Sequence, residues 1–179
     1  MGYSAFAVAN YFLDLGKKDG VEITPLMIQK LVYIAHGYHL AFTARDNSSD
    51  GLPLVDDEFA EAWQYGPVFP SLYHHFKRFG GDPITEFAKD IEFSYDDDRG
   101  KLDTKSITPK IDPNDEFPCA LLNKIWEVYG EYTGLQLSDI THRKDTPWDK
   151  TWKRRNGFRN AHIPNKVIRE YYLNRIGGQ

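Results

Sequence analysis

The sequence predicts a mainly α fold: a single compact domain of about six or seven helices with a small antiparallel β element. Three observations support this class. Most of the 179 residues fall into apolar stripes at helical spacing, which begin at capping residues and end near glycines. Residues 91–95 alternate between apolar and polar side chains, as a strand does. No linker is long enough to separate two domains, so we expect one domain over 1–179.

A first helix is predicted over 4–15. Ser4 suits the N-cap position, because its hydroxyl can accept a hydrogen bond from an unpaired amide of the first turn. Gly16 is the expected stop. The apolar stripe of this helix consists of Ala5, Phe6, Val8, Ala9, Phe12 and Leu13.

The second helix, predicted over 26–42, has the clearest signals. Thr24 can cap it, and Pro25 fits the first helical position, where no backbone amide is needed. The segment is apolar on nearly all sides, which predicts a central, mostly buried helix. Gly37 removes a side chain inside it, so we expect another element to approach closely there.

The middle of the chain is predicted to turn repeatedly. Residues 45–53 are rich in Asn, Ser, Asp and Gly and are predicted to form a loop, whereas 54–65 fits either a short strand or a helix. Gly66-Pro67 cannot continue a helix or a regular strand, because proline lacks an amide and restricts the residue before it. A sharp turn is therefore expected there, followed by a third helix over 70–81.

A β-hairpin insertion is predicted near 91–109. Residues 91–95 form its first strand, and Asp98-Arg-Gly100 turns the chain into the second strand. The hairpin is expected to be exposed and to carry Asp96, Asp97 and Asp98. The rest of the chain is predicted to be helical, over about 115–132, 135–141, 148–155 and 164–176.

Composition limits the function classes. The net charge is −4, with −8 on residues 1–100 and +4 on 101–179. No apolar run reaches the roughly 18 residues that a membrane span requires, and the N-terminus lacks the basic region of a signal peptide. A lone Cys119 excludes an internal disulfide framework and a cysteine-based zinc cluster. We therefore expect a cytoplasmic protein without membrane contact.

A metal-binding protein or enzyme is one alternative function. His36 and His39 lie three residues apart on the second predicted helix, so both can face one side and bind a metal together with His142. The sequence shows no His-Glu-x-x-His arrangement, nucleophile elbow or phosphate-binding loop. We therefore favour hydrogen-bonded structural histidines and expect no enzymatic activity, no metal and no cofactor.

Nucleic-acid binding is a second alternative. Residues 143–159 interleave Lys and Arg with Trp148 and Trp152, a composition typical of single-strand binders. The pI near 5.8 and the absence of a legible nucleic-acid module argue against it. The competing interpretation is that these aromatic residues anchor a short helix to the core while the cations keep it soluble.

Three ordered blocks resemble a known family. They are LMIQKLVYIAHGYHL at 26–40, EAWQYGPVFPSLY at 61–73, and LSDITH at 137–142 with TPW at 146–148. Together they resemble the SocA-like antitoxin family, whose shared module is the Panacea domain and whose phage- and prophage-associated members are also called GepA-like. The resemblance runs from about residue 3 to residue 172.

The resemblance implies a mostly helical domain that neutralises a cognate toxin by protein–protein contact. Members are typically encoded beside a toxin in bacterial, prophage and phage genomes. Masking of the toxin and delivery of the toxin to a cellular protease both fit this expectation. The matching motif residues are Trp63, Tyr65, Gly66, Pro67, His142, Pro147 and Trp148.

The expected roles of these motif residues are mostly structural. Gly66-Pro67 fixes a turn, Trp63 and Trp148 are large buried anchors, and Tyr65 helps Trp63 to hold the turn against the second helix. His142 caps a helix end or hydrogen-bonds across the motif. Residues outside the motifs are then the candidates for partner binding: Tyr38, His39, Asp96, Asp97, Asp98, Lys150, Arg154 and Arg155.

Overall fold

The computed structural model describes residues 2–44, 51–154, 156 and 160–177. These ranges hold seven α-helices: α1 (Ala5–Asp19), α2 (Pro25–Thr43), α3 (Pro70–Phe76), α4 (Glu116–Tyr129), α5 (Gly134–Thr141), α6 (Pro147–Arg154) and α7 (Asn165–Gly177). They also hold five strands: β1 (Glu61–Trp63), β2 (Gly66–Val68), β3 (Asp90–Asp96), β4 (Lys101–Ile107) and β5 (Ala161–His162). The mainly α class with a small antiparallel β element is confirmed.

Helix α2 lies at the centre of the helical part. Of its 19 residues, 14 are buried, and it packs against α1, α3, α4, α5 and α7. Thr24 caps it, since its Oγ1 accepts a hydrogen bond from the Met27 amide at 3.3 Å, and Pro25 occupies the first turn. The predicted boundaries and burial of this helix are confirmed.

Gly37 is the point where α7 meets α2. A Cβ atom built on Gly37 would overlap the aromatic ring of Tyr172, which is 4% exposed. The close approach predicted at Gly37 is therefore confirmed, and Tyr172 is the side chain that requires it.

Helix α1 begins as predicted but ends later. Ser4 Oγ accepts a hydrogen bond from the Ala7 amide at 3.2 Å. The expected stop at Gly16 is wrong, because the helix continues to Asp19. Its C-cap is Gly20, which has φ 70° and so takes the left-handed conformation that ends many helices. Gly16 makes room for the returning chain instead: a Cβ there would lie 2.7 Å from Cδ1 of Ile23.

Strands β1 and β2 form a hairpin around Gln64 and Tyr65, and β5 pairs with the other side of β1. The chain turns sharply here as predicted, but the expectation that Gly66-Pro67 does not fit a regular strand is wrong, because the pair opens β2. Pro67 pairs with Ala62 in β2, which is an edge strand, and edge strands tolerate a missing amide. The sharp turn lies just before the Gly-Pro pair.

The outer edge of this small sheet is closed by a side chain of α2. Gln29 Nε2 donates a hydrogen bond to the Phe69 carbonyl at 3.0 Å, and the Phe69 amide donates to Gln29 Oε1 at 2.9 Å. The Gln29 amide thus pairs with both backbone polar groups of Phe69, the residue directly after β2.

Strands β3 and β4 form the predicted hairpin, paired in register from Asp90↔Ile107 to Asp96↔Lys101. The four C-terminal helices lie where the pattern predicts them, although α4 ends at Tyr129 instead of 132.

The ambiguous segment 54–65 is extended rather than helical, with a bridge between Tyr3 and Val55 and then β1. Within the described residues, no helix has the length and apolarity needed to cross a membrane.

Candidate functional site

The Gly66-Pro67 pair lies directly over a buried lysine. Lys30 on α2 is fully buried, and its Nζ donates hydrogen bonds to the carbonyl oxygens of Pro67 at 2.9 Å and Tyr65 at 3.3 Å. Gly66 has φ 108°, and a Cβ there would lie 2.8 Å from Lys30 Nζ. Burial lowers the pKa of Lys30 to about 7. The motif glycine thus leaves room for an amine that ties the hairpin to α2.

The two C-terminal motif blocks, 137–142 and 146–148, also contact this hairpin. Trp148 is 6% exposed, and its Nε1 donates a hydrogen bond to the Trp63 carbonyl at 2.7 Å. The His142 ring packs against Trp148 in a tilted arrangement with centroids 3.8 Å apart, and His142 Nε2 lies 3.3 Å from the Gln64 carbonyl oxygen. His142 is also the C-cap of α5. His142 thus occupies the capping position through its backbone amide, which donates to the Ser138 carbonyl at 2.9 Å, while its ring reaches across to the β1–β2 turn.

Trp63, Trp148 and Pro147 have mainly structural contacts. Trp148 is buried as expected, whereas Trp63 is half-buried, packs edge-on against Tyr73 and donates from Nε1 to Glu61. Pro147 is buried in the first turn of α6. Helix α6 is thereby fixed beside β1.

Tyr65 differs from its expected role. Its side chain is 73% exposed, so its backbone carbonyl, and not its ring, attaches the turn to α2 through Lys30. The ring lines a groove of about 710 Å³ together with Trp63 and Tyr73, and Lys77 lies on the same rim. Aromatic walls of this kind suit an apolar side chain of a protein partner.

The three histidines of the metal hypothesis do not converge. Among residues 2–44, 51–154, 156 and 160–177, no group of three or more His, Cys, Asp or Glu side chains could hold a metal ion. His36 is 1% exposed, and both of its ring nitrogens are occupied. Nδ1 accepts a hydrogen bond from the Val55 amide at 3.2 Å, so the proton is on Nε2, which donates to Asn165 Oδ1 at 3.1 Å. His36 is a hydrogen-bonded structural residue.

The protonation of His36 provides a test of this arrangement. Burial lowers its pKa to about 4, so the unfolded chain binds more protons than the folded chain between about pH 4 and 6.5, and stability falls as the pH falls through that window. From pH 7 to pH 5 we expect a loss of about 2 kcal/mol from His36. Urea unfolding at pH 7 and pH 5 gives the free energy of unfolding of the wild-type chain and of His36→Gln. The contribution of His36 is the difference between the two proteins in how much this free energy changes with pH.

The exposed His74 supplies the control for this measurement. His74→Gln is expected to keep the wild-type pH dependence. Burial also lowers the pKa of His39 and His75, but both groups remain in each variant, so their contribution cancels. Equal pH dependence in His36→Gln and wild type would contradict the burial of a neutral His36.

Tyr38 and His39 lie mainly inside the molecule. His39 is 6% exposed, and its Nδ1 lies 2.8 Å from the Leu52 carbonyl oxygen. Tyr38 is half-buried and packs edge-on against Tyr172, with centroids 4.7 Å apart. His39 therefore offers little surface to a partner, because α2 is covered on most sides by other helices.

In the basic stretch 143–159, the described charged and aromatic side chains have different environments. Lys150 and Arg154 are exposed, whereas Arg155 lies outside the described residues. Trp148 is buried, and Trp152 stacks on it with centroids 5.7 Å apart. The buried Trp148 is not free to stack on a nucleic-acid base, so anchoring of α6 is the interpretation that its contacts favour.

The β3–β4 hairpin carries the acidic residues predicted at its tip. Asp97 and Asp98 are exposed, while Asp96 stabilises the turn by accepting hydrogen bonds from Arg99 N at 3.0 Å and from Arg99 Nε at 2.6 Å. Sequence reasoning missed the apolar side chains of the hairpin, of which Phe93 is 64% exposed. The alternation of apolar and polar residues along 91–95 is the sequence signal for one apolar face.

Comparison with known proteins identifies the family. The family model described as "Antitoxin SocA-like, Panacea domain" matches residues 28–149. The chain is also similar to Antitoxin SocA of Caulobacter vibrioides (strain NA1000 / CB15N), with 32% identity over 147 residues that cover 81% of this chain and 68% of the relative. No solved structure matches. The matched region contains the Lys30–Gly66 contact and the Trp148–Trp63 contact, and the chain belongs to the SocA-like antitoxin family.

Proposed function

We propose that this chain is the antitoxin of a toxin–antitoxin pair and that it neutralises its toxin by direct protein–protein binding in the cytoplasm. The family match over 28–149 is the observation that carries this proposal. In this view the chain works as a single domain, without enzymatic activity of its own, and its gene lies beside that of the toxin in a bacterial or prophage genome.

The contacts of the motif residues support a surface other than the motif core as the binding site. Lys30, Trp148 and His142 hold α2, α5, α6 and the β1–β2 hairpin together. A scaffold built in this way leaves exposed side chains to select the partner. The exposed candidates are Asp97 and Asp98 on the β3–β4 hairpin, Lys150 and Arg154 on α6, and the groove beside Tyr65.

Co-expression tests the proposal. The product of the adjacent gene, induced alone, is expected to stop growth, and induction together with this chain is expected to restore it. A version of this chain with an early stop codon is the control and should leave growth arrested. A neighbour that is harmless alone, or that stays toxic beside the intact chain, would contradict the proposal.

The amount of toxin in the rescued cells distinguishes the two modes of neutralisation. If the antitoxin masks the toxin, an epitope-tagged toxin remains at its original level and is recovered in a complex with the antitoxin. If the antitoxin delivers the toxin to a cellular protease, the tagged toxin disappears with time after synthesis is blocked. An immunoblot time course measures the difference.

A further inference from the structure

The β3–β4 ribbon, residues 90–107, has one exposed apolar face. Ile91, Phe93 and Tyr95 alternate along β3 and therefore lie on the same side, and Leu102 lies opposite Tyr95 in the register of β4. These four side chains are 59%, 64%, 62% and 60% exposed. Among the described elements, β3 and β4 pack extensively only with each other.

An exposed apolar face is unusual for a ribbon against which no other described helix or strand forms a layer. A two-stranded hairpin is marginally stable in water and normally needs a helix or a further strand on its apolar side. Contiguous exposed apolar side chains on a soluble protein typically mark an interaction surface. The face is therefore suited to a partner that supplies the missing layer.

The charge of the ribbon limits what that partner can be. Residues 90–107 contain six carboxylates and three cations, a net charge of −3. Two of the carboxylates, Asp97 and Asp98, extend from the tip and are exposed. A second copy of this chain bound through the same face would bring two ribbons of net charge −3 together, because a two-fold interface pairs identical patches. Like charges at that contact disfavour self-association.

We propose that the apolar face of the β3–β4 ribbon is the docking surface for the toxin, and that the toxin presents an apolar groove bordered by Lys or Arg side chains. This inference rests on the proposed antitoxin function. Ile91, Phe93, Tyr95 and Leu102 fill the groove, and Asp97 and Asp98 meet its basic border. The rest of the antitoxin holds the ribbon away from the helical core, where the toxin can reach it.

The double variant Phe93→Thr/Tyr95→Thr tests the face. Threonine keeps the preference for strand structure and removes both rings. Large aromatic side chains at the centre of an interface carry much of the binding energy, so affinity for the adjacent gene's product is expected to fall about 100-fold or more. The matched control is Phe59→Thr/Leu135→Thr, which removes two apolar residues that are 54% and 73% exposed outside the ribbon. Calorimetric titration of each purified protein with the toxin measures the affinities, and the control is expected to stay within about threefold of wild type.

A charge variant tests the border of the groove. Asp97→Lys/Asp98→Lys is expected to slow association with the toxin about tenfold at low ionic strength, with a smaller effect at high salt, because complementary charge mainly accelerates the encounter. Stopped-flow association at two salt concentrations measures this. Asp82→Lys/Glu131→Lys, which makes the same change in net charge at two exposed carboxylates outside the ribbon, is the matched control and is expected to slow association less.

The outcomes separate the inference from the function on which it rests. If Phe93→Thr/Tyr95→Thr binds the toxin with wild-type affinity, the docking face is overturned and the antitoxin function is left intact. Analytical ultracentrifugation tests the other occupant. If the purified wild-type chain is a dimer and the same variant is a monomer, the face binds a second copy of this chain and the proposal is overturned. A wild-type chain that neither binds nor rescues the adjacent gene's product removes both proposals.

Discussion

Replacing Gly37 by alanine is expected to lower the free energy of unfolding by about 3 kcal/mol. In an unconstrained helix the same change would stabilise by about 1 kcal/mol, because glycine is the poorer helix former. Here the new Cβ would overlap the ring of Tyr172, including Cζ at 2.7 Å. The ring is buried between α2 and α7, so α7 must shift and lose packing to accommodate a single methyl group.

Urea unfolding followed by circular dichroism measures this loss. Gly177→Ala is the matched control, since a Cβ at Gly177 meets nothing within 4 Å, and its effect is expected to stay within about 0.5 kcal/mol. Tyr172→Leu removes the ring, so Gly37→Ala should cost less in that background than in the wild type. A Gly37→Ala protein as stable as the wild type would contradict the proposed packing.

Replacing Lys30 by methionine is expected to abolish a rise in stability at alkaline pH. Burial lowers the pKa of Lys30 from 10.5 to about 7, so between those values the unfolded chain binds a proton that the folded chain lacks. Stability therefore rises with pH across this window, by about 2 kcal/mol between pH 7.5 and 9 and about 5 kcal/mol in total. A neutral amine has two N–H donors, which matches the carbonyls of Tyr65 and Pro67.

Urea unfolding at pH 7.5 and pH 9 compares the two proteins. The Lys30→Met protein lacks the hydrogen bond to the Pro67 carbonyl, whereas the Tyr65 carbonyl keeps the one from Ser138 Oγ at 3.4 Å. It is expected to be less stable than wild type at pH 9, but with little change between the two pH values. Lys150→Met, at an exposed lysine, should retain the wild-type pH dependence. If the curves of Lys30→Met and wild type run parallel, Lys30 is charged in the folded protein.

Local signals predict the starts of helices well. Ser4, Thr24 and Pro25 act through contacts within a few residues, so their roles follow from the chemistry of one turn. Gly37 also indicates a place of close approach, because a missing side chain inside an apolar helix leaves room for a neighbouring element. The sequence does not show that Tyr172, more than a hundred residues away, fills that place.

The parts that sequence reasoning missed depend on distant neighbours. Pro67 lies in a strand because β2 is at the edge of the described sheet, and Lys30 is buried because two backbone carbonyls accept its hydrogen bonds. Neither circumstance is visible from residue type or spacing. Gly16 could have been recognised as an interior glycine, since Lys17 and Lys18 after it suit the last turn of a helix and Gly20 supplies its end.

The candidate contact surface is predictable in part. The acidic tip at Asp96–Asp98 and the two strands follow from turn chemistry and alternation, and the structure confirms their positions. The exposure of Phe93 and Tyr95 could not be predicted, because alternating apolar residues normally face a core. Only the absence of a packed layer among the described elements distinguishes this face from a buried one.

The hydrogen bonds between Gln29 and Phe69 have a consequence for how the protein folds. The Phe69 amide and carbonyl obtain their partner from a helix 40 residues earlier in the chain. The β1–β2 hairpin, with a turn of only two residues, can begin to form locally, but its outer edge is completed only when α2 has docked. We therefore expect hairpin and helix to form one cooperative unit, whose amides open to solvent exchange together instead of fraying strand by strand.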